Sequence, residues 1–303
     1  MYNGIINVYK EKGYTSHDVV ARLRGICKQK KIGHTGTLDP EAEGVLPVCL
    51  GKATKLCDLL TDKDKIYEAC LLLGVETDTQ DLTGTVLHTR QVQVNQEQVQ
   101  RAINSFVGTY QQIPPMYSAL KVNGKKLYEY AREGIQVERK PRPVTIYGIT
   151  IQKIELPRIW FQVECSKGTY IRTLCHDIGQ SLGTGGAMES LVRKKASVFR
   201  MEDSLKLAEI EALQQEGRLE EVLYPLDSMF SHFEKAVVLT EYNRLLYNGN
   251  GLARQWLCTE TDRDMLRIYD EEGHFIGIYQ WNDVKKMYQP QKLFLPIEEK
   301  AES

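Results

Sequence analysis

The chain has no long hydrophobic run. Its longest apolar stretches, such as Ala69 to Val75, fall far short of a bilayer span, which excludes a helical membrane protein. The opening MYNGIINVYKEKG lacks a basic segment followed by an apolar one, so no secretory signal is expected and a cytoplasmic protein is. The seven cysteines (Cys27, Cys49, Cys57, Cys70, Cys165, Cys175 and Cys258) include no C-x-x-C pair, which argues against a disulfide framework and against a structural zinc site. Reduced, mostly buried thiols are expected instead. Repeats and low-complexity segments are also missing, and polar runs never dominate for long, which excludes disorder as the main state. No glycine is followed at the right spacing by G-K-[ST], so there is no Walker-type phosphate loop. An excess of charge of either sign is absent too: the net charge is −1.

With 303 residues, 42% of them hydrophobic and 26% charged, the chain can bury a sizeable core. At ~150 residues per domain, two domains are expected. Charge is unevenly spread. Arg22 to Lys31 holds five basic residues and no acid, Lys121 to Arg142 holds seven against three glutamates, and Arg193, Lys194 and Lys195 form a third cluster. Glu202 to Glu234, by contrast, holds nine acids against Lys206 and Arg218. This distribution suggests a one-sided basic face suited to a polyanion.

Periodicity and turn chemistry give a coarse map. Strands are expected at Gly4 to Lys10, Tyr67 to Val75 and Gly84 to His88, with a pair at Val144 to Leu156 and Ile159 to Cys165. Thr15 or Ser16 caps a helix whose Val19, Val20, Leu23 and Ile26 share a face, and Asn95 caps another with Val99, Ile103 and Phe106 inward. Helices are also expected at Tyr170 to Leu182, ending at Gly183, and at Ser204 to Leu213. The stretch GHTGTLDPEAEGVLP reads as an irregular loop. A boundary near Asp227 to Glu234 divides the chain into 1–230 and a small β-rich module at 233–303. In that module LTEYNRLLYNG reads as a helix closed by Gly249, and MLRIYD and HFIGIYQW as a hairpin. Strands and helices without βαβα alternation imply an α+β fold with a mixed, largely antiparallel sheet and flanking helices.

The most informative residues lie in Gly33-His34-Thr35-Gly36-Thr37-Leu38-Asp39-Pro40. Glycines allow close backbone approach, and Pro40 pushes Asp39 out of the α region, so a carboxylate is presented from a non-helical loop. By residue type alone, Asp39 is a nucleophile, a base, a metal ligand or a turn residue.

The full phrase GHTGTLDPEAEGVLP resembles the signature of the TruB family of tRNA pseudouridine synthases. The likeness continues in KIYEACLLLGVETDTQDLTG, QIPPMYSALKVNGKKLYEYAREG and VECSKGTYIRTLCHDIG, in the family's order over roughly residues 1 to 200. The C-terminal module more weakly resembles a small RNA-binding PUA domain. The resemblance implies isomerisation of a T-loop uridine of tRNA, without cofactor or metal, after the base is flipped out of its stack. It implies Asp39 as the catalytic nucleophile, Arg172 as its ion-pair partner, holding it ionised in a bidentate fork, and Tyr67 as a base-stacking and proton-transfer residue. It further implies Tyr170 and Leu191 as pocket walls, His34 as a residue filling the space the base leaves, and Asp81 and Lys10 as substrate-site polar residues. The implied partner is tRNA, through its T loop and stem, with no membrane and no obligatory protein partner.

Two departures from the family pattern stand out. Glu11 replaces a proline after Lys10, and Leu191-Val192-Arg193-Lys194 replaces Leu-Arg-Arg. Two other readings remain on the same scaffold. A non-catalytic RNA-binding or tRNA-folding protein would lose the aspartate or the arginine, yet both are present. A guide-RNA-dependent synthase would carry basic extensions, yet the chain ends in KAES.

Overall fold

Alternation of apolar residues builds the centre of the protein, seen in a computed structural model that describes residues 1–295. β1 (Gly4–Lys10) and β2 (Glu43–Leu50) pair antiparallel, Gly4 opposite Leu50. In β2, Leu46, Val48 and Leu50 face one core and Val45 and Cys49 the other, so both faces are covered. The expectation of an irregular stretch through residue 47 was too broad. Ile32–His34 and β2 are both strands, and only residues 35–42 form a loop. Pro47 is tolerated within β2 because its carbonyl still accepts the Thr35 N–H (3.1 Å) and only its missing donor is lost.

β3 (Lys65–Leu73), β4 (Gly108–Gln112), β5 (Arg142–Glu155), β6 (Arg158–Cys165) and β7 (Gly186–Ala196) complete the path of a nine-stranded sheet, ordered β1-β2-β7-β3-β6-β5-β4. Its pairings are antiparallel except for a short parallel contact of β7 with β2, Val192 opposite Glu43 and Arg193 opposite Gly44. The fold is therefore α+β with a largely antiparallel sheet, as expected.

Among the described residues, four helices of nine or more residues cover the sheet. α1 (Ser16–Cys27) starts at the Thr15 cap, whose hydroxyl accepts from Asp18 N–H while the Asp18 carboxylate accepts from Thr15 N–H. α2 (Gln96–Asn104) starts at the Asn95 cap and buries Val99 and Ile103, whereas Phe106 lies past its end and is partly buried. α3 (Ile171–Ser181) begins after Tyr170. α4 (Leu207–Gln215) begins three residues later than the expected Ser204. There Glu209 reaches back to the Lys206 N–H and fixes the helix start. α1 and α4 enclose one core with β1 and β2, and α2 and α3 enclose another with β3, β5 and β6.

A second sheet of four strands follows: β8 (Glu234–Val237), β9 (Met265–Tyr269), β10 (Phe275–Asn282) and β11 (Met287–Leu293). The expected hairpin is β9–β10. The expected helix shortens to a turn at Thr240–Tyr242 and a helix at Asn243–Tyr247. Residues 296–303, with the KAES end, lie outside the described residues. Phe230, Ile278 and Phe294 pack in one cluster with Ile5, Val45, Cys49, Leu56 and Phe199, so the two sheets share apolar packing. Among the described residues no helix is long and apolar enough to cross a membrane.

Candidate active site

β3 and β7 run side by side with Ala69 opposite Leu191 and Tyr67 opposite Arg193. Period-two alternation sends Tyr67, Leu191 and Arg193 to the same face. There they line a cavity of about 700 Å³ together with Asp39, Tyr170 and Arg172. The sequence scatters Asp39, Tyr67, the pair Tyr170 and Arg172, and Leu191, and the fold brings all five to this one cavity.

Asp39 sits on a loop tied at each end. Thr35 N–H donates to the Pro47 carbonyl, Leu38 N–H donates to Ser16 Oγ (2.9 Å) at the start of α1, and Ala42 N–H closes a turn onto the Asp39 carbonyl (3.1 Å). Pro40 fits the second position of that turn. The carboxylate is left free to face Arg172, 3.4 Å away from Nη1 to Oδ2.

Arg172 is buried on the first turn of α3. Its Nη1 also lies 3.5 Å from Asp81 Oδ2, and its Nη2 donates to the Tyr117 carbonyl. The expected bidentate fork on Asp39 is not formed, because one nitrogen is shared between two carboxylates. Asp81 is held by Thr79 Oγ1 (2.7 Å), Thr83 N–H (2.9 Å) and Thr83 Oγ1 on its other oxygen. Burial pushes the Asp39 carboxyl above the usual carboxylate range; Arg172 pulls it down, but the Asp81 charge adds to the upward shift.

Tyr67 is buried, and burial raises its phenol while the Arg193 charge opposes that rise. Tyr170 is latched by Gln112, whose Oε1 accepts the Tyr170 N–H (2.8 Å) and whose Nε2 donates to the Tyr170 carbonyl (3.0 Å). Three expected site residues, Asp81, Lys10 and His34, do not line the cavity. The fully buried Lys10 ammonium donates to the Pro40 and Glu11 carbonyls (3.1 Å each), and burial lowers its pKa to about 8. His34 packs edge-on against His17 at 5.4 Å and accepts the Gly36 N–H. Burial first, then His17 and Arg193, lower its pKa to about 4, so it is neutral.

Two of the three basic clusters reach the cavity, the segment Lys121 to Arg142 through Lys126 and Arg142, and the third cluster through Arg193. Arg22 is paired with Glu211 of α4 (3.6 Å), and Arg24 donates to the carbonyls of Lys30 and Ile32. Arg193 is 1% exposed and cannot meet a phosphate. Sequence reasoning placed it in a surface cluster and missed its position. The available signal was its parity with Leu191 on a strand facing the pocket.

Family models decide the affiliation. One, described as the TruB family pseudouridylate synthase N-terminal domain, matches residues 24–171. Another, described as the tRNA pseudouridylate synthase B C-terminal domain, matches residues 172–231. The chain belongs to the TruB family of pseudouridylate synthases. It is 56% identical to a tRNA pseudouridine synthase B of Lachnoclostridium phytofermentans over 97% of this chain and 100% of the relative. It is 45% identical to one of Clostridium novyi with the same coverages. Among solved structures, a chain of a Cbf5-Nop10-Gar1 complex superposes with a TM-score of 0.71 at 26% identity, covering 97% of this chain and 85% of that one.

Proposed function

We propose that this TruB-family enzyme converts a T-loop uridine of tRNA to pseudouridine, with Asp39 as its catalytic carboxylate. The observation that carries the reading is the position of Asp39, at the cavity on a tethered loop, 3.4 Å from the buried Arg172. The reaction breaks N1–C1′, forms C5–C1′, releases the C5 hydrogen as a proton and puts a proton on the freed N1, so the product is an isomer and atoms balance. A uracil in a folded loop has to leave its stack to reach Asp39. Tyr67 offers the flipped base an aromatic face worth about 1–3 kcal/mol. Leu191 and Tyr170 wall the pocket, Asp81 helps fix Arg172, and His34 occupies the space behind. Asp39 acts by attack on C1′, by attack on C6 or by promoting a glycal, and all three need its ionised form.

The proposed organisation puts the chemistry in residues 1–230 and an accessory RNA contact in the β-rich module that begins at 233. The enzyme works without an obligatory protein partner in this reading. A non-catalytic tRNA-binding role on the same scaffold predicts no isomerisation. The deciding experiment incubates the protein with an unmodified tRNA transcript and maps pseudouridine by nucleotide. Pseudouridine at a single T-loop uridine is expected. Its absence, or its appearance only elsewhere, would overturn the assignment.

A further inference from the structure

Arg193 is among the largest fully buried side chains, and among the described residues it forms no ion pair. Its guanidinium donates chiefly to backbone carbonyls, and its charge also reaches the neighbouring Tyr67 hydroxyl. Nε donates to the Val45 carbonyl (2.7 Å), Nη2 to the Gly36 carbonyl (3.2 Å) and Nη1 to the Thr37 carbonyl (3.5 Å). On the far side of Asp39, Lys10 Nζ donates to the Pro40 carbonyl. Two buried cations therefore grip the loop on either side of the catalytic position, drawing its carbonyls backward. The backbone is shaped to allow it. Gly36 has φ +138°, and a Cβ on Gly44 (φ +105°) would sit 2.3 Å from the Arg193 carbonyl oxygen.

Burying a guanidinium without a counter-ion is costly, and an apolar side chain of similar volume would fill the space at less cost. Stability alone does not explain an arginine here. We propose that Arg193 is a positioning residue for the isomerisation, holding the segment Gly36–Thr37 so that Asp39 projects toward the sugar and Arg172. The proposal rests on the pseudouridine synthase reading above. An error of about 1 Å in a reacting group costs on the order of 10²-fold in rate. Loss of the tether therefore appears in the chemical step and leaves tRNA affinity intact.

The test compares Arg193→Met, Arg193→Lys and the wild type by three measurements: tritium release from C5-labelled tRNA in single turnover at saturating enzyme, tRNA affinity, and melting temperature, with rates read well below the transition. Expected for Arg193→Met is a saturated rate about 100-fold lower, with affinity changed by less than about threefold. Arg193→Lys keeps the charge and part of the donor set, and recovers to about tenfold below wild type. A saturated rate near wild type in either variant would overturn the proposal, even if melting fell, because that is the mark of a merely structural residue. Weakened affinity at an unchanged saturated rate would overturn it, because the tether would then serve RNA binding and not the chemical step. If Arg193→Met does not fold, the Arg193→Lys rate decides alone. Wild-type protein that releases no tritium would instead defeat the functional reading.

Discussion

Asp39 is held where its charge is uncomfortable. Burial and the neighbouring Asp81 outweigh Arg172, so its folded pKa lies above its unfolded one. For an acid shifted this way, the folded state loses stability as pH rises through the folded pKa. Asp39→Asn should therefore melt at a higher temperature than wild type at neutral pH, while tritium release stops and tRNA affinity stays within a few fold. Tritium release at the wild-type rate would refute the role of Asp39, and a lowered melting temperature would refute the strain. The same shift puts the acid limb of the single-turnover rate above pH ~4, where a free aspartate titrates. Asp81→Asn removes a like charge and should move that limb down. Tyr67 gives a separate test. Its hydroxyl lies within the influence of the Arg193 charge, which favours the phenolate. Tyr67→Phe keeps the stacking face, yet should slow the saturated rate by about 10²-fold or more, near Tyr67→Leu. Near-normal turnover by Phe would leave stacking as the whole contribution. Sequence motifs made Asp39, Arg172 and Tyr67 legible. They could not show that Arg172 divides one nitrogen between two carboxylates, since that depends on the loop at Thr79–Thr83 folding over α3.

At the scale of elements, the start of α1 serves two purposes. Thr15 caps the helix, and Ser16 Oγ holds the Leu38 N–H beside Asp39. Thr15→Ala should cost about 1 kcal/mol in urea unfolding with little change in the saturated rate. Ser16→Ala leaves a buried N–H unpaired, should cost about 1–3 kcal/mol, and should also slow catalysis. Equal rates in both variants would break the link between cap and loop. α1 was legible because its cap and apolar face agree. β2 was hidden because Gly44 and Pro47 argue locally against a strand. Burial on both faces overrides those preferences, and the close crossing with β7 requires Gly44. Gly44→Ala combines a φ of +105° with a backbone clash. It should destabilise by at least the ~1–3 kcal/mol of backbone strain, seen as a lower urea midpoint.

For the whole molecule, shared packing and charge placement set the behaviour. The boundary near Asp227 was read from Pro225 and a change of pattern, which do not reveal that Phe230, Ile278 and Phe294 pack on Ile5, Val45 and Phe199. A chain ending at Met229 therefore loses three buried apolar side chains, each worth roughly 2–5 kcal/mol when a core site is emptied. It should melt well below the full chain and bind an apolar dye. An unchanged melting temperature would show that the shared cluster contributes little. Charge follows the same logic of position over composition. The basic run Arg22–Lys31 lies on and after α1, partly answered by the acidic α4 through Arg22 and Glu211, whereas Lys126 and Arg142 stand at the cavity. Each lysine or arginine that neutralises a phosphate releases counterions and adds about one to the slope of log affinity against log salt. The double variant Lys126→Gln, Arg142→Gln should therefore weaken tRNA binding and flatten that slope by about two. The matched variant Lys28→Gln, Lys30→Gln carries the same change in net charge and should leave the slope within about half a unit of wild type. Equal flattening in both would mean that the RNA reads net charge and that the cavity face has no privileged role in binding.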